Sequence, residues 1–294
     1  MLQGWLSEHL FLLLTTLIKD MNSKIEAYSI VNGEVDSTLI DLLAKAAKQC
    51  LIKSGITIND VDLIINSSIY SEDYISEPAV ASLVQNRLNN GNAANKQFSF
   101  DLQSGGGGVI QAMQIADTMI KDGNITTALL VAGDVQPKKG DTAAFNVNNG
   151  AGAIIIIATE EDCGFIKFHF ETYEEFLEMD NRFLSWEKSG VVFNHQKSEE
   201  YSPLCADLIV QSIAKSGIEI KADSMGIVFS QYPEDISIIA SNQLNIKVNT
   251  INHAPLYSAG IIQSLLANDN KKEILFVNAG PGITISVAHY KNIS

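Results

Sequence analysis

The sequence predicts an α/β fold made of two similar halves, each with a central sheet covered by helices. Short runs that are apolar throughout, such as residues 127–133 (TALLVAG), are typical of strands buried on both faces of a sheet. A unit of helical pattern, glycine and apolar run also occurs twice, because residues 53–58 (KSGITI) recur as residues 215–220 (KSGIEI). The matched order of elements around the two copies indicates an internal duplication.

Each predicted element has its own local signal. Apolar residues at helical spacing predict helices over residues 42–51, 109–120 and 206–213. The first and last of these end before Gly55 and Gly217, which we expect to be left-handed helix C-caps. Strand-like runs cover residues 24–31, 61–66, 97–102, 127–133, 153–158, 225–229, 274–278 and 283–288.

Residues 163–203 show the least regular pattern of the chain. We expect this region to be a surface excursion, with His169 and His195 facing solvent.

Composition excludes several classes of function. The chain has 294 residues, a formal net charge of −14 and no long basic run, which disfavours a nucleic-acid groove or an anionic membrane surface. Its three cysteines, Cys50, Cys163 and Cys205, lie far apart and in no metal-binding spacing. We therefore expect buried structural thiols in a reducing, cytoplasmic compartment, with no metal and no cofactor.

The first 20 residues include a short apolar stretch, residues 10–18, that is too short to span a bilayer comfortably. No basic residue precedes it and no small-residue cleavage site follows, so a signal peptide is not expected. We favour a peripheral amphipathic helix. The chain then divides into an extension (residues 1–20), an N-terminal half (residues 21–159) and a C-terminal half (residues 160–294).

The most informative segment is residues 100–108 (FDLQSGGGG), where a strand-like run meets four glycines and a helical pattern. Many enzymes place a nucleophile at such a turn, because a helix N-terminus stabilises negative charge. Here the glycines provide only backbone N–H and C=O groups. They could cradle a phosphate, form an oxyanion hole without a nucleophile, or pack closely against a partner chain, and we favour the last. Ser104 could be a displaced nucleophile, but a helix N-cap is the favoured role, and Asp101 is expected to be a structural acceptor.

Four motifs in order resemble the thiolase superfamily, specifically its ketoacyl-acyl-carrier-protein synthase III branch. They are the strand and turn at 100–108, the strand at 128–134 that ends in Gly-Asp, residues 149–153 (NGAGA) and residues 279–282 (AGPG). The resemblance covers about residues 21–290 and implies a layered α-β-α-β-α fold with two similar halves. It places Gly105, Gly107, Gly108, Gly280 and Gly282 in the family's turn and oxyanion region.

The same resemblance implies that the catalytic residues are missing. The family holds an acyl group on a cysteine and condenses it with a malonyl thioester, assisted by a His and an Asn. Carried over by position, these three residues fall on Gly106, Ser230 and His253. Glycine cannot hold an acyl group, and loss of a nucleophile in subtilisin costs roughly 10⁶-fold in turnover. That loss corresponds to about 8 kcal/mol of barrier.

Two further departures from the family agree with the loss of the catalytic residues. Residues 31–36 lead almost directly into the first long helix, where the family has a longer segment that contributes to coenzyme A binding. Residues 233–235 (PED) stand where the family has a basic residue that helps to dock the acidic acyl carrier. Acidic groups repel an acidic carrier, which argues against docking on this face.

The family pairs the strand before its nucleophile turn with the same strand of a partner across a dimer interface. Here that strand contains Phe98 and Phe100, whose alternation with polar residues fits a sheet edge with one buried face. An unpaired edge of this kind promotes association. We therefore expect a dimer, either with a catalytically competent ketosynthase III-like paralogue or with a second copy of this chain.

The leading hypothesis is a non-catalytic ketosynthase III-like subunit that pairs with a cysteine-bearing paralogue in acyl condensation. One alternative is an acyltransferase or thioesterase-like enzyme that uses His253 with Ser230 or Ser104. Another alternative is a module that binds an acyl ligand without chemistry.

Overall fold

The first sheet contains the strands of the N-terminal half. This computed structural model describes residues 21–75, 77–91, 97–138, 140–188, 190–221, 224–249 and 254–293. The sheet has the order β1-β5-β4-β2-β3. Its strands are β1 (Asn22–Asn32), β2 (Leu63–Asn66), β3 (Phe98–Asp101), β4 (Thr127–Asp134) and β5 (Gly150–Thr159). β2 and β4 are parallel, whereas β5 is antiparallel to both β4 and β1.

The second sheet repeats this arrangement. Its order is β6-β11-β10-β9, in which β9 and β10 are parallel and β11 is antiparallel to both β10 and β6. The strands are β6 (Gly164–Thr172), β9 (Met225–Phe229), β10 (Glu273–Gly280) and β11 (Thr284–Lys291). This order matches β1-β5-β4-β2 strand for strand and sense for sense. The predicted duplication is therefore confirmed, with β3 added to the first sheet.

The helices form three layers, one between the two sheets and one on the outer face of each sheet. They are α1 (Leu39–Ser54), α2 (Val80–Leu88), α3 (Gly108–Lys121), α4 (Tyr201–Ser216), α5 (Ile236–Leu244) and α6 (Gly260–Leu265). α3 and α6 share one hydrophobic core with strands of both sheets, so they lie between the sheets. α1 and α2 cover the first sheet from outside, and α4 and α5 cover the second. The predicted α-β-α-β-α layering is confirmed.

The repeated KSGI sequence forms the same helix end in both halves. Gly55 ends α1 with φ +70° and Gly217 ends α4 with φ +69°, the left-handed conformation that glycine adopts at least cost. Ser54 Oγ donates to the carbonyl of Leu51 (3.0 Å), and Ser216 Oγ donates to that of Ile213 (2.6 Å). Because the cap is local, the sequence alone predicts it correctly.

The expectation of a surface excursion over residues 163–203 is wrong where this region joins the second sheet and its helical layer. This region contains β6, the antiparallel pair β7 (Asp180–Glu187) and β8 (Gly190–Lys197), and the start of α4. The histidines do not face open solvent either: the side chain of His195 is 11% exposed and that of His169 is 24% exposed. β6 gave no clear signal because it lies at the edge of the second sheet and has no regular alternation of buried and exposed residues.

Two further expectations concern membranes and metals. Across the described ranges, every helix is too short or too polar to cross a membrane. Among the same residues, no three potential ligands of the His, Cys, Asp or Glu type form a cluster suited to a metal ion. The helix expected within residues 1–20 lies outside the described residues.

Candidate functional site

The glycine turn lies between β3 and α3 and is fixed from its strand side by Asp101. The Asp101 carboxylate accepts hydrogen bonds from the backbone N–H groups of Val80 (2.7 Å) and Ala81 (2.8 Å) at the start of α2. It also accepts one from the side-chain amide of Asn66 (3.1 Å). The prediction of a structural acceptor is confirmed.

Ser104 is not the N-cap of α3, so that prediction is wrong. The helix begins at Gly108, and its N-cap is Gly107, which has no side chain to accept a backbone hydrogen bond. Ser104 contributes its backbone instead, since its carbonyl accepts from Gly107 N–H (3.1 Å). The run of glycines moves the helix start away from the serine, because glycine favours the turn over the helix.

Position 106 has room for a side chain. A Cβ placed on Gly106 would lie 3.7 Å from the amide of Asn278 and 3.8 Å from the ring of Tyr257, which are ordinary contact distances. The neighbouring glycines are different. Gly105 has φ +50°, and a Cβ on Gly108 would come within 2.7 Å of Ser67 Cβ. The fold therefore requires glycine at 105 and 108 and does not require it at 106.

Asn278 at the end of β10 holds the turn in place. Its side chain is buried, and its amide nitrogen donates to the carbonyl of Gly106 (3.0 Å). Its amide oxygen accepts from the N–H groups of Gly107 (3.2 Å) and Ala279 (3.2 Å). The backbone of Gly280 faces the same turn, because a Cβ there would lie 3.7 Å from Gly106 N. The two glycine-rich turns expected from sequence thus meet.

Ser230 has a structural environment at the end of β9. Its buried hydroxyl donates to the carbonyl of Tyr232 (3.2 Å) and accepts from the N–H of Ala279 (3.4 Å). His253 lies outside the described residues. From the segment that follows His253, the residue that approaches position 106 is Tyr257, which is buried and whose pKa burial raises well above the ordinary value.

A buried carboxylate anchors the Tyr257 segment to the first sheet. Asp134, at the end of β4, accepts from the N–H of Ser258 (2.7 Å) and from the Ser258 hydroxyl (2.9 Å). It also accepts from the N–H of Tyr70 (3.1 Å). Burial raises the pKa of Asp134, whereas these hydrogen bonds oppose that rise. The Gly-Asp strand end noted in the sequence therefore serves to position Tyr70 and Tyr257.

A charged cluster lies beside these tyrosines. Arg182 on β7 places its guanidinium carbon 4.2 Å from the ring centroid of Tyr232 and 4.7 Å from that of Tyr257. Asp180 Oδ1 lies 3.9 Å from Arg182 Nε and 2.8 Å from His195 Nε2. Burial and the charge of Arg182 lower the pKa of His195, so its imidazole is neutral near pH 7.

A cleft of about 370 Å³ extends from this cluster to the glycine turn. Gly105 and Gly282 form its wall at the turn, and Tyr70, Arg182 and Tyr257 form the opposite part. A second cleft of about 370 Å³ shares Tyr70 and Arg182 and continues over the aromatic side of the β7–β8 hairpin. We call the two together the Arg182 cleft.

Sequence reasoning missed the residues that shape this cleft. Tyr257 follows His253 by four residues, and Asn278 directly precedes the C-terminal glycine turn. A polar residue at the end of a buried strand was the available signal for Asn278. Arg182 gave none, because it lies in the region that the sequence pattern left unassigned.

Comparison with known proteins identifies relatives of part of the chain. Residues 100–174 match the family model for 3-oxoacyl-[acyl-carrier-protein (ACP)] synthase III. A β-ketoacyl-[acyl-carrier-protein] synthase III of Clostridium perfringens is 30% identical over 136 residues, and one of Ehrlichia canis is 34% identical over 131 residues. These alignments cover 44% and 43% of this chain, but only 40% and 39% of the respective relatives.

Solved structures match nearly the whole chain. The 3-oxoacyl-[acyl-carrier-protein] synthase III of Aquifex aeolicus superposes with a TM-score of 0.74 at 17% identity, over 92% of this chain and 100% of that one. A Xanthomonas campestris OleA variant with bound lauric acid and lauroyl-CoA gives a TM-score of 0.76 at 17% identity, over 92% and 99%. The chain therefore has the thiolase-like fold of these proteins, and the predicted fold class is confirmed.

Proposed function

We propose that this chain is a non-catalytic ketosynthase III-like subunit that pairs with a cysteine-bearing paralogue in acyl condensation, in the cytoplasm. The observation that carries the proposal is Gly106. The chain has no side chain at the one position of the turn where a side chain would fit and would face Tyr257 and Asn278. The resemblance places the family's nucleophile at this position.

The cysteines of the chain support this proposal, because they lie away from the turn. Cys50 lies on α1 and Cys205 on α4, and each is buried in the hydrophobic core that its helix shares with a sheet. Burial raises the pKa of each of these thiols to about 12, so neither forms a thiolate at neutral pH. Cys163 is also buried, and burial raises its pKa as well.

The preserved turn supports a role in an assembly rather than a decayed scaffold. Asn278 fastens the turn with three buried hydrogen bonds, to Gly106, Gly107 and Ala279. A subunit that only fills a structural role keeps such packing, since loss of buried hydrogen bonds would destabilise the fold it offers to its partner.

The edge of the first sheet supports pairing. Among the described residues, β3 pairs with β2 alone and leaves its other edge unpaired. Phe98 on this strand is 58% exposed, and its ring centroid lies 5.2 Å from that of Phe100. An exposed phenylalanine on an open strand edge is suited to burial by another chain.

Co-expression with a ketosynthase III-like paralogue that retains Cys, His and Asn tests the proposal. We expect the two chains to co-purify as a heterodimer and the complex to condense acyl and malonyl thioesters. Phe98→Arg should abolish the association, whereas Ile52→Arg, at an 80% exposed site on α1, should preserve it. A chain that stays alone with every paralogue, or that condenses thioesters without one, would contradict the proposal.

A further inference from the structure

The guanidinium of Arg182 is buried, and no described residue accepts a hydrogen bond of ordinary geometry from its Nε, Nη1 or Nη2. The Arg182 side chain is 4% exposed. Asp180 lies 3.9 Å from Nε, too far for such a bond. Tyr232 and Tyr257 present their ring faces, which attract the positive charge. The hydroxyls of Tyr70 and Tyr232 also interact with the guanidinium, but neither reaches ordinary hydrogen-bond geometry.

This arrangement lacks an acceptor. A guanidinium carries five N–H groups in a rigid planar fork, and a buried donor without a partner destabilises the fold, more so when it is charged. Asp180 balances the charge without satisfying these donors. The missing component is a group that accepts two parallel hydrogen bonds and reaches the guanidinium through the Arg182 cleft.

The walls of the cleft indicate the chemistry of the remainder of the molecule that carries this acceptor. Cavities that hold small ligands typically measure about 300–1,000 Å³, and each part of the Arg182 cleft measures about 370 Å³. Apart from Arg182 and Gln103, the wall over the hairpin is mainly aromatic and aliphatic, with Ile75, Phe183 and Phe193. Such a surface is suited to a hydrocarbon chain.

We propose that the Arg182 cleft binds an organic monocarboxylate with an apolar tail, with the carboxylate paired to the Arg182 guanidinium. A carboxylate matches the planar fork with two parallel hydrogen bonds. The buried Asp180 carboxylate favours a monoanion over a doubly charged phosphate, because the second negative charge would be repelled at short range. The site is independent of the proposed pairing and is present in the isolated chain.

Isothermal titration calorimetry of the full chain with octanoate and with octanol tests the proposal. The two probes share one tail and differ in the head group. We expect octanoate to bind about 10–100-fold more tightly, which corresponds to about 1.4–2.8 kcal/mol, the size of a charged hydrogen bond. Octyl phosphate should bind more weakly than octanoate. Equal affinities for octanoate and octanol, stronger binding of octyl phosphate, or no binding of octanoate would each overturn the proposal.

Variants assign the effect to Arg182. Arg182→Met should reduce the octanoate-to-octanol affinity ratio to near one, and Arg182→Lys should reduce it partly, because lysine keeps the charge but loses the fork. Arg87→Met is the matched control, since Arg87 is exposed and paired with Asp41 (2.6 Å) on the first half. If Arg182→Met does not fold, the affinity ratio of Arg182→Lys tests the assignment. An unchanged ratio in the folded Arg182 variant would refute the assignment.

Discussion

Substitution of the turn glycines by alanine shows whether the fold requires glycine at position 106 or leaves room there for the side chain of a nucleophile. At position 106 the new methyl group would meet its nearest neighbours at 3.7–3.8 Å, and the backbone is not left-handed. Gly→Ala at such a site stabilises a protein by about 0.4–1 kcal/mol, because alanine restricts the unfolded chain. We therefore expect Gly106→Ala to be at least as stable as the parent chain.

The adjacent glycine provides the matched comparison. Gly105 has φ +50°, and a left-handed conformation costs a residue with a Cβ about 1–2 kcal/mol. The free energies of unfolding of Gly105→Ala and Gly106→Ala should therefore differ by about 2 kcal/mol, in favour of Gly106→Ala. Gly108→Ala should also be destabilised, because its methyl group would lie 2.7 Å from Ser67 Cβ.

Equilibrium unfolding in urea, followed by circular dichroism, measures these differences. The slope of the free energy with urea should stay constant across the variants, so that shifts of the midpoint report stability. If Gly106→Ala loses as much stability as Gly105→Ala, the fold itself would demand glycine at 106. The absence of a side chain there would then carry no information about a lost nucleophile, and the reasoning would be refuted.

Other parts of the account can be checked in the same way. Asn278→Ala should lower the free energy of unfolding by about 2–4 kcal/mol, since it removes three buried hydrogen bonds, and exposed Asn242→Ala should not. Gly55→Ala and Gly217→Ala should lose similar stability, about 1–2 kcal/mol each, measured by thermal unfolding against the parent protein; clearly unequal losses would argue against equivalent caps. Burial opposes ionisation of Glu171, but hydrogen bonds led by that of Lys215 outweigh it and lower its pKa from 4.5 to about 2. The resulting stability is present above about pH 4.5 and is lost as pH falls towards 2, so Glu171→Gln should flatten the acid limb of a stability-versus-pH curve. An unchanged acid limb would contradict the assignment.

The fold was predictable where its signals are local. Strands buried on both faces, such as β4, appear in the sequence as continuous apolar runs. The caps at Gly55 and Gly217 depend only on a helix end and a glycine. The hairpin of β7 and β8 was missed because its stability comes from pairing and from packing on Tyr70, which no short window of sequence contains.

The candidate site was predictable only in part. The glycine turn and its vacant position follow from one continuous motif and a family resemblance. The Arg182 cleft combines β7, the end of β9 and the segment before α6, which are distant in sequence and meet through the packing of the two halves. Side chains brought together in this way leave no spacing pattern, so only the folded arrangement identifies Arg182, Asp180 and His195 as one cluster.

Intact-mass spectrometry after incubation with acetyl-CoA and lauroyl-CoA tests the central claim most directly. The isolated chain should keep its unmodified mass, and in a complex with a cysteine-bearing paralogue the acyl group should appear on the paralogue alone. An acyl adduct on the purified chain, mapped by peptide sequencing to any of its own side chains and turned over when a malonyl thioester is added, would contradict the account.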